Sequence, residues 1–261
     1  MGVVCAVTLL VFGSVTNARG QTAPVPSASP GPSVSPTPTA SVPLLSARAV
    51  LDRAMQAFSA AGSVHITLDD TYVVKRWGSA QSLGSITLVY HHFPARLAAH
   101  FQNTLDHPSG HQVVQSADLV QVGKRTAYRS DTMQWQCLMQ KPLGRPYLRI
   151  FALDGAVKKM ALIGADSVNG IPAWHLRGEV PRSGSWASIF ENLPPIQEDI
   201  YVAQSDSTLL RTVERFTGDL PSNVILDPGI HGPAVVTVES TVDYGSYGVP
   251  ERVSLPRQCH T

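Results

Sequence analysis

From Val64 onward the chain is written in a period of two, and that period constrains the fold more than any other feature. Val64, Ile66, Leu68, Tyr72 and Val74 alternate with His65, Thr67, Asp69 and Thr71. Successive strand residues point to opposite faces, so the pattern specifies a strand with one apolar and one polar side. Ile86, Leu88 and Tyr90 alternate in the same way with Thr87, Val89 and His91, and Leu97, Ala99 and Phe101 follow Pro94. Further strands are expected near 111–116, 118–122, 126–130 and 133–138, with Gly123-Lys124-Arg125 turning between two of them. The style returns in the second half at Asp166–Val168, Ala173–Glu179, Ile200–Ala203, Leu209–Phe216, Val235–Tyr244 and Arg252–Leu255.

The interruptions read as helical. Ser46 is placed to cap a helix in which Val50, Leu51, Ala54, Ala57, Phe58 and Ala61 form an apolar stripe, and Gly62 stops it. Residues 143–163 hold Leu143, Tyr147, Leu148, Ile150, Phe151, Leu153, Val157, Met160 and Ile163. That set is too dense for an exposed loop and reads as one or two short helices. Ser185 can cap another piece bearing Trp186, Ile189, Phe190 and Leu193, ended by Pro194-Pro195. Residues 218–233 read as a Pro- and Gly-rich loop. The expected class is α+β: one long helix, two short apolar helical pieces, and ten or more antiparallel strands. A single-layer sheet of that size must curl and cover one face, or expose an apolar surface. Incomplete cover by the helices leaves a cavity suited to an acyl chain. The alternative is a filled core.

What precedes the domain is of another kind. Val3–Val15 is an apolar run of export-signal length, and Ala18-Arg19-Gly20 is a small-x-small site with cleavage expected before Gln21. Residues 1–20 are thus expected to be a signal peptide, with a buried hairpin segment as the alternative. Its first residues carry no Lys or Arg, and the true start is expected upstream. Cys5 lies too early for a bacterial lipobox, and Ala6 stands where a myristoylation signal wants Ser or Thr. Residues 21–43 carry prolines at 24, 26, 30, 32, 36, 38 and 43 among Ser, Thr and Ala, with no charge. They are expected to form a disordered, extended stalk, leaving 44–261 as one domain. No run reaches the roughly 18–20 apolar residues that a membrane span needs.

Charge and motifs remove several function classes. The chain has 20 Lys plus Arg and 19 Asp plus Glu, and losing Arg19 with the leader balances them. A nucleic-acid binder needs a basic face, so no nucleic-acid partner is expected. There is no Gly-x-Ser-x-Gly elbow, no His-Glu-x-x-His, and no phosphate-binding glycine loop, so no enzyme is expected. Asp69-Asp70 and Glu198-Asp199 are adjacent carboxylates and read as solvated edges. His91, His92, His100, His107 and His111 crowd one region, but no companion ligand has zinc-like spacing. Neither a metal nor another cofactor is expected. His175 reads as structural.

Four stretches, in order, carry a family resemblance. Asn169 to Gly178 (NGIPAWHLRG) resembles the "dGvptyHvrG" strand of the LppX/LprG-type lipoproteins, relatives of the LolA lipoprotein carriers. Ser63 to Leu68 is similar to that family's "SvHftl" strand, and Gly123 to Trp135 to its "Gdk-aYlr…W" hairpin. Val236 to Pro256 resembles its C-terminal pair of strands. The resemblance implies a strongly curved half-barrel with helices across its concave face, holding acyl chains in the bacterial envelope. The chain departs from the family in lacking the lipobox cysteine and in having two cysteines within the domain.

Those two, Cys137 and Cys259, are the only cysteines after cleavage. In an oxidising compartment an even pair is expected to bond, the alternative being two buried thiols. The function expected is an exported, extracytoplasmic, non-enzymatic carrier of lipid or acylated lipoprotein. An envelope sensor of the same fold, reading lipid or a membrane-associated partner, is the alternative. The cavity and lid candidates are Trp186, Ile189, Phe190, Leu193, Tyr147, Phe151, Leu88 and Phe58. For the helix bearing Phe190, permanent packing on the core is the competing reading.

Overall fold

The computed structural model describes residues 46–74, 78–90, 95–106, 109–131, 133–139, 157–180, 195–220, 225–227, 230–231, 234–249 and 251–260. The leader, the stalk, and the candidates Tyr147, Phe151, Trp186, Ile189, Phe190 and Leu193 lie outside these residues.

Helix α1 spans Ala47–Ala61. The Ser46 side chain accepts a hydrogen bond from the Ala49 amide, satisfying one of the helix's otherwise unpaired first-turn donors. Gly62 ends it at φ 75°, a left-handed conformation that a side chain would disfavour. Val50, Leu51, Ala54 and Phe58 are buried along its stripe.

Eleven strands then form one antiparallel sheet. They are β1 (Ser63–Val74), β2 (Gly78–Val89), β3 (Arg96–Asp106), β4 (Gln112–Val122), β5 (Arg125–Ser130), β6 (Gln136–Met139), β7 (Lys158–Val168), β8 (Ile171–Val180), β9 (Ile196–Ala203), β10 (Leu209–Leu220) and β13 (Ala234–Gly245). Their order is β6-β5-β4-β3-β2-β1-β13-β10-β9-β8-β7, so the sheet is open and β6 and β7 are its edges. Two short strands, β11 (Ile225–Asp227) and β12 (Ile230–His231), pair separately. Open, twisted sheets rarely exceed about ten strands without curling or splitting, and the arrangement is consistent with a curved sheet. The first strand is the spine, paired from Ser63 to Val74 with β2 and from His65 to Val74 with β13. Asn169 and Gly170, at φ 51° and 80°, make the tight turn between β7 and β8.

Four expectations need correction. Residues 218–233 are not one loop, because 218–220 belong to β10 and 225–227 pairs with 230–231 as β11 and β12. Residues 158–163 are not helical, because β7 begins at Lys158. Register shifts between Lys158 and Ala161 and between Leu162 and Gly164 break its alternation, and Lys159 sits at φ 47°. Such bulges hide the period of two. Residues 111–116 and 118–122 form one strand, β4, not two. Residues 252–255 form no strand.

Instead, the C-terminal tail is a strap across the α1 end of the sheet. Ser63 Oγ on β1 donates to the Val249 carbonyl at 2.9 Å, and Thr87 Oγ1 on β2 donates to Glu251 at 2.7 Å. Val253 is buried, and Arg125 on β5 donates to the His260 carbonyl. Cys259, in the 3-10 turn Arg257–Cys259, is disulfide-bonded to Cys137 on edge strand β6, with the Cα atoms 5.4 Å apart. The bond closes a sequence separation of 122 residues. A loop of that order removes roughly 4–5 kcal/mol of unfolded-state entropy on the chain-entropy model, less any native strain. Replacing both cysteines by serine should lower unfolding free energy by about 2–5 kcal/mol in denaturant titrations. It should also raise amide exchange first in β6 and the tail.

Candidate functional site

The inward face of the sheet is set by one phase of alternation. On β1 the inward residues are Val64, Ile66, Leu68, Asp70, Tyr72 and Val74, all buried except the half-buried Leu68. Cross-strand register carries that phase across the sheet and divides the face into three bands running across the strands.

The first band lies under α1. Ile66, Ile86, Ala99 and Leu119 continue one another on β1 to β4, and Leu176, Ile200 and Leu209 belong to the same buried cluster on the other side. Phe58 from the helix stacks on Tyr90 at 5.2 Å and meets Tyr244 and Tyr247 edge-on at 6.4 and 6.2 Å. Tyr90 and Tyr247 donate their hydroxyls to the Phe58 and Leu209 carbonyls respectively, so these rings bury their polar ends without cost. Phe58 and Leu88, both expected near a cavity, are packed here at 2% and 1% exposure.

The second band is polar. Asn103, Ser82, Asp70, Ser240, Glu214 and Glu198 are successive cross-strand neighbours on β3, β2, β1, β13, β10 and β9. Asn103, Ser82, Asp70, Ser240 and Glu198 are all buried. Asp70 accepts hydrogen bonds from Ser240 Oγ at 2.5 Å and from the Tyr72 hydroxyl at 3.2 Å. Burial still dominates over those bonds and pushes its carboxyl up to about 6. Glu198 is 1% exposed, and neither of its carboxyl oxygens has a hydrogen-bond partner in the protein. Burial, then the neighbouring Glu214 and Asp199, raise it well above the usual carboxylate range.

The third band is apolar again. Tyr72 pairs with Ala80 and Val238, Val74 with Val236, and Val238 with Phe216, and all six are buried. None belongs to the cluster under α1. Val180 and Ile196 face each other at this end, where the chain leaves β8 for residues 181–194.

The expectation that Asp69-Asp70 and Glu198-Asp199 are solvated edges therefore fails for Asp70 and for both members of the second pair, since Asp199 is buried as well as Glu198. Asp69 faces outward and accepts from Gln81 at 2.9 Å, while Asp70 faces inward. Glu198 faces inward, while Asp199 accepts from His175 Nε2 at 2.8 Å and Arg177 Nε at 2.7 Å. Burial alone would raise Asp199, but the bonds and charges of Arg177 and His175 outweigh it and hold its carboxyl below the usual range. Arg215 joins this outer network through Asp199 and Glu239, and Arg211 pairs with Asp243 at 2.6 Å. His175 stacks on Tyr201 at 4.6 Å, a structural place. His100 is paired with Asp118 at 2.7 Å, and His91, His92 and His107 lie outside the described residues. Among the described residues no group of three or more His, Cys, Asp or Glu is arranged to hold a metal ion. No described helix is long and apolar enough to cross a membrane.

Compared with known proteins, no family model matches the chain, and no curated protein matches it. Among solved structures it is similar to the lipoprotein LppX of Mycobacterium tuberculosis, at 16% identity and a TM-score of 0.46, covering 80% of this chain and 98% of that one. It is also similar to LprF of Mycobacterium bovis, at 12% identity and a TM-score of 0.48, covering 80% and 96%. A LolA superfamily protein of Nitrosomonas europaea follows at 11% identity and a TM-score of 0.28, covering 83% and 98%. These are the groups that the four sequence stretches resemble.

The raised Asp70 has a direct consequence for stability. Its folded value, about 6, lies above the ordinary 3.8, so the fold favours the neutral acid. That contribution is fully present below about pH 4 and is lost as pH rises through about 6. In Asp70→Asn the amide oxygen can still accept from Ser240 and Tyr72, and no charge develops. The variant should gain about 3 kcal/mol on wild type between pH 4 and pH 8, measured by denaturant unfolding at both values. A constant difference would show that the carboxyl is not held neutral.

Proposed function

We propose that the chain is an exported, non-enzymatic carrier that binds lipid, or the acyl chains of a lipoprotein, against the inward face of a strongly curved half-barrel. The observation that carries this reading is the third band. Its six residues form a contiguous apolar patch on a one-layer sheet; they are buried, yet none is part of the core that α1 seals.

Two features of the connectivity support it. Residues 140–156 connect β6 to β7, the two opposite edges of the sheet, and they include Tyr147 and Phe151. Residues 181–194 begin and end at the third band, after Val180 and before Ile196, and they include Trp186, Ile189, Phe190 and Leu193. We assign both segments to the cover of the cavity, with the second as its lid. Each methylene taken from water contributes roughly 0.8 kcal/mol, so a long chain binds tightly without a charged partner. The export signal and stalk then place the domain outside the cytoplasm of a bacterium, within reach of envelope lipids.

Mass spectrometry of organic extracts from the exported protein should recover a long-chain lipid. Phe190→Asp would set a carboxylate against the bound chain, at a cost of several kcal/mol unless it turns away or is protonated. Lipid recovered per mole of protein should then fall sharply while the melting temperature moves little, because a lid contributes less to global stability than the core. Unfolding of the domain by this substitution would place the segment in the core. Unchanged lipid content would remove it from the site.

A further inference from the structure

The third band and the core under α1 are both apolar, yet a row of polar side chains runs between them. Its register is continuous over six neighbouring strands, from Asn103 through Ser82, Asp70, Ser240 and Glu214 to Glu198. The charge sign is uniform. At the inward positions of β1, β2, β3, β4, β8, β9, β10 and β13 the register places Asp70, Glu214 and Glu198, and no Lys, Arg or His. The cations of these strands are all outside, where Arg177, Arg211 and Arg215 are held by Asp199, Asp243 and Glu239.

Within this row Asp70 and Glu198 differ. Asp70 is answered by Ser240 and Tyr72 from the protein itself. Glu198 is as deeply buried, but both of its oxygens lack a partner. A buried polar group with no partner is rare and costs free energy, which a ligand group can recover.

We propose that the Glu198 end of this row is a subsite for an uncharged, hydroxyl-bearing part of the lipid, seated between the two apolar bands. The subsite rests on the carrier reading above and narrows it. A hydroxyl both donates and accepts, and so matches a carboxyl that burial keeps in the acid form. A carboxylate or phosphate headgroup would meet three acidic side chains and no compensating cation, so such a group is excluded from this depth.

The test uses the full exported chain loaded from phosphatidylcholine vesicles with a long-chain alcohol, the alkane of the same length, or the carboxylate of the same length. Native mass spectrometry reads occupancy. The alcohol-to-alkane ratio should be about tenfold higher in wild type than in Glu198→Leu, and Glu198→Gln, which keeps donor and acceptor, should retain most of that preference. The carboxylate should load below the alcohol in wild type. In wild type the infrared carbonyl band of the protonated carboxyl should shift when the alcohol loads and stay put with the alkane. That readout holds even if the leucine variant fails to fold. Equal ratios in wild type and Glu198→Leu, an unmoved carbonyl band, or carboxylate loading equal to alcohol would each overturn the subsite while leaving the carrier intact. Failure of every probe to load onto wild type would overturn both.

Discussion

The structure depends on one constraint: the strands on either side of β1 keep a single phase of alternation with it. A strand displaced by one residue sends its whole apolar set to the other face. For β10 that slip would bring Arg211, Val213 and Arg215 inward and expose Glu214 and Phe216. For β9 it would turn Asp199 inward and strip it from Arg177 and His175. Every outer ion pair therefore reports the same register as the inner core. The spine β1 enforces it, because twelve residues paired with β2 and ten of them also with β13 leave no freedom to slide. The phase falters at the bulges of β7, a strand at the sheet's edge, and at Leu209–Arg211 where β10 begins.

The same constraint gives neighbouring residues opposite electrostatic lives. Asp69 and Asp70 differ by one position, and so do Glu198 and Asp199. The outward member of each pair has polar partners on the surface. The inward member loses hydration and binds its proton more tightly, Asp70 up to about pH 6 and Glu198 well above the usual carboxylate range. A fold optimised only for stability would put valine at these inward positions. Keeping two acids there, one satisfied and one not, destabilises the protein at neutral pH, which is the signature of a position retained for something other than packing.

Much of this was legible in the sequence, and the failures have physical causes. The cap at Ser46, the stop at Gly62, the alternation of β1 and the turn at Gly123 are all local signals, and local signals survive in one dimension. The first half of β2 did not show, because Gly78, Ser79, Ser82 and Gly84 carry no apolar bulk. They belong there since a Cβ on Gly84 would come within 3.0 Å of Leu68 and Phe101. The tail 252–255 looked like a strand but is held as a strap by its bonds to β1, β2 and β5, which are contacts distant in sequence. Asp70 and Glu198 could have been found. Asp70 is in phase with Val64, Ile66, Leu68, Tyr72 and Val74, and Glu198 with Ile200 and Val202, so the alternation itself points both inward. The error lay in weighing residue type above phase.

The contacts that fix the sheet gather at one end of its strands. At the Ser63 end, α1, the aromatic group around Phe58, the tail and the Cys137–Cys259 bond all converge. They fix the register of both halves of the sheet there. Because strands are stiff along their hydrogen-bonded ladders, the register set at that end carries through to Val74 and Val236. The connections before Ile196 and Ala234 leave at that other end. The polar row lies between the two ends. It marks the depth at which the sealed core stops, and therefore the depth to which anything entering from the Val74 end can reach.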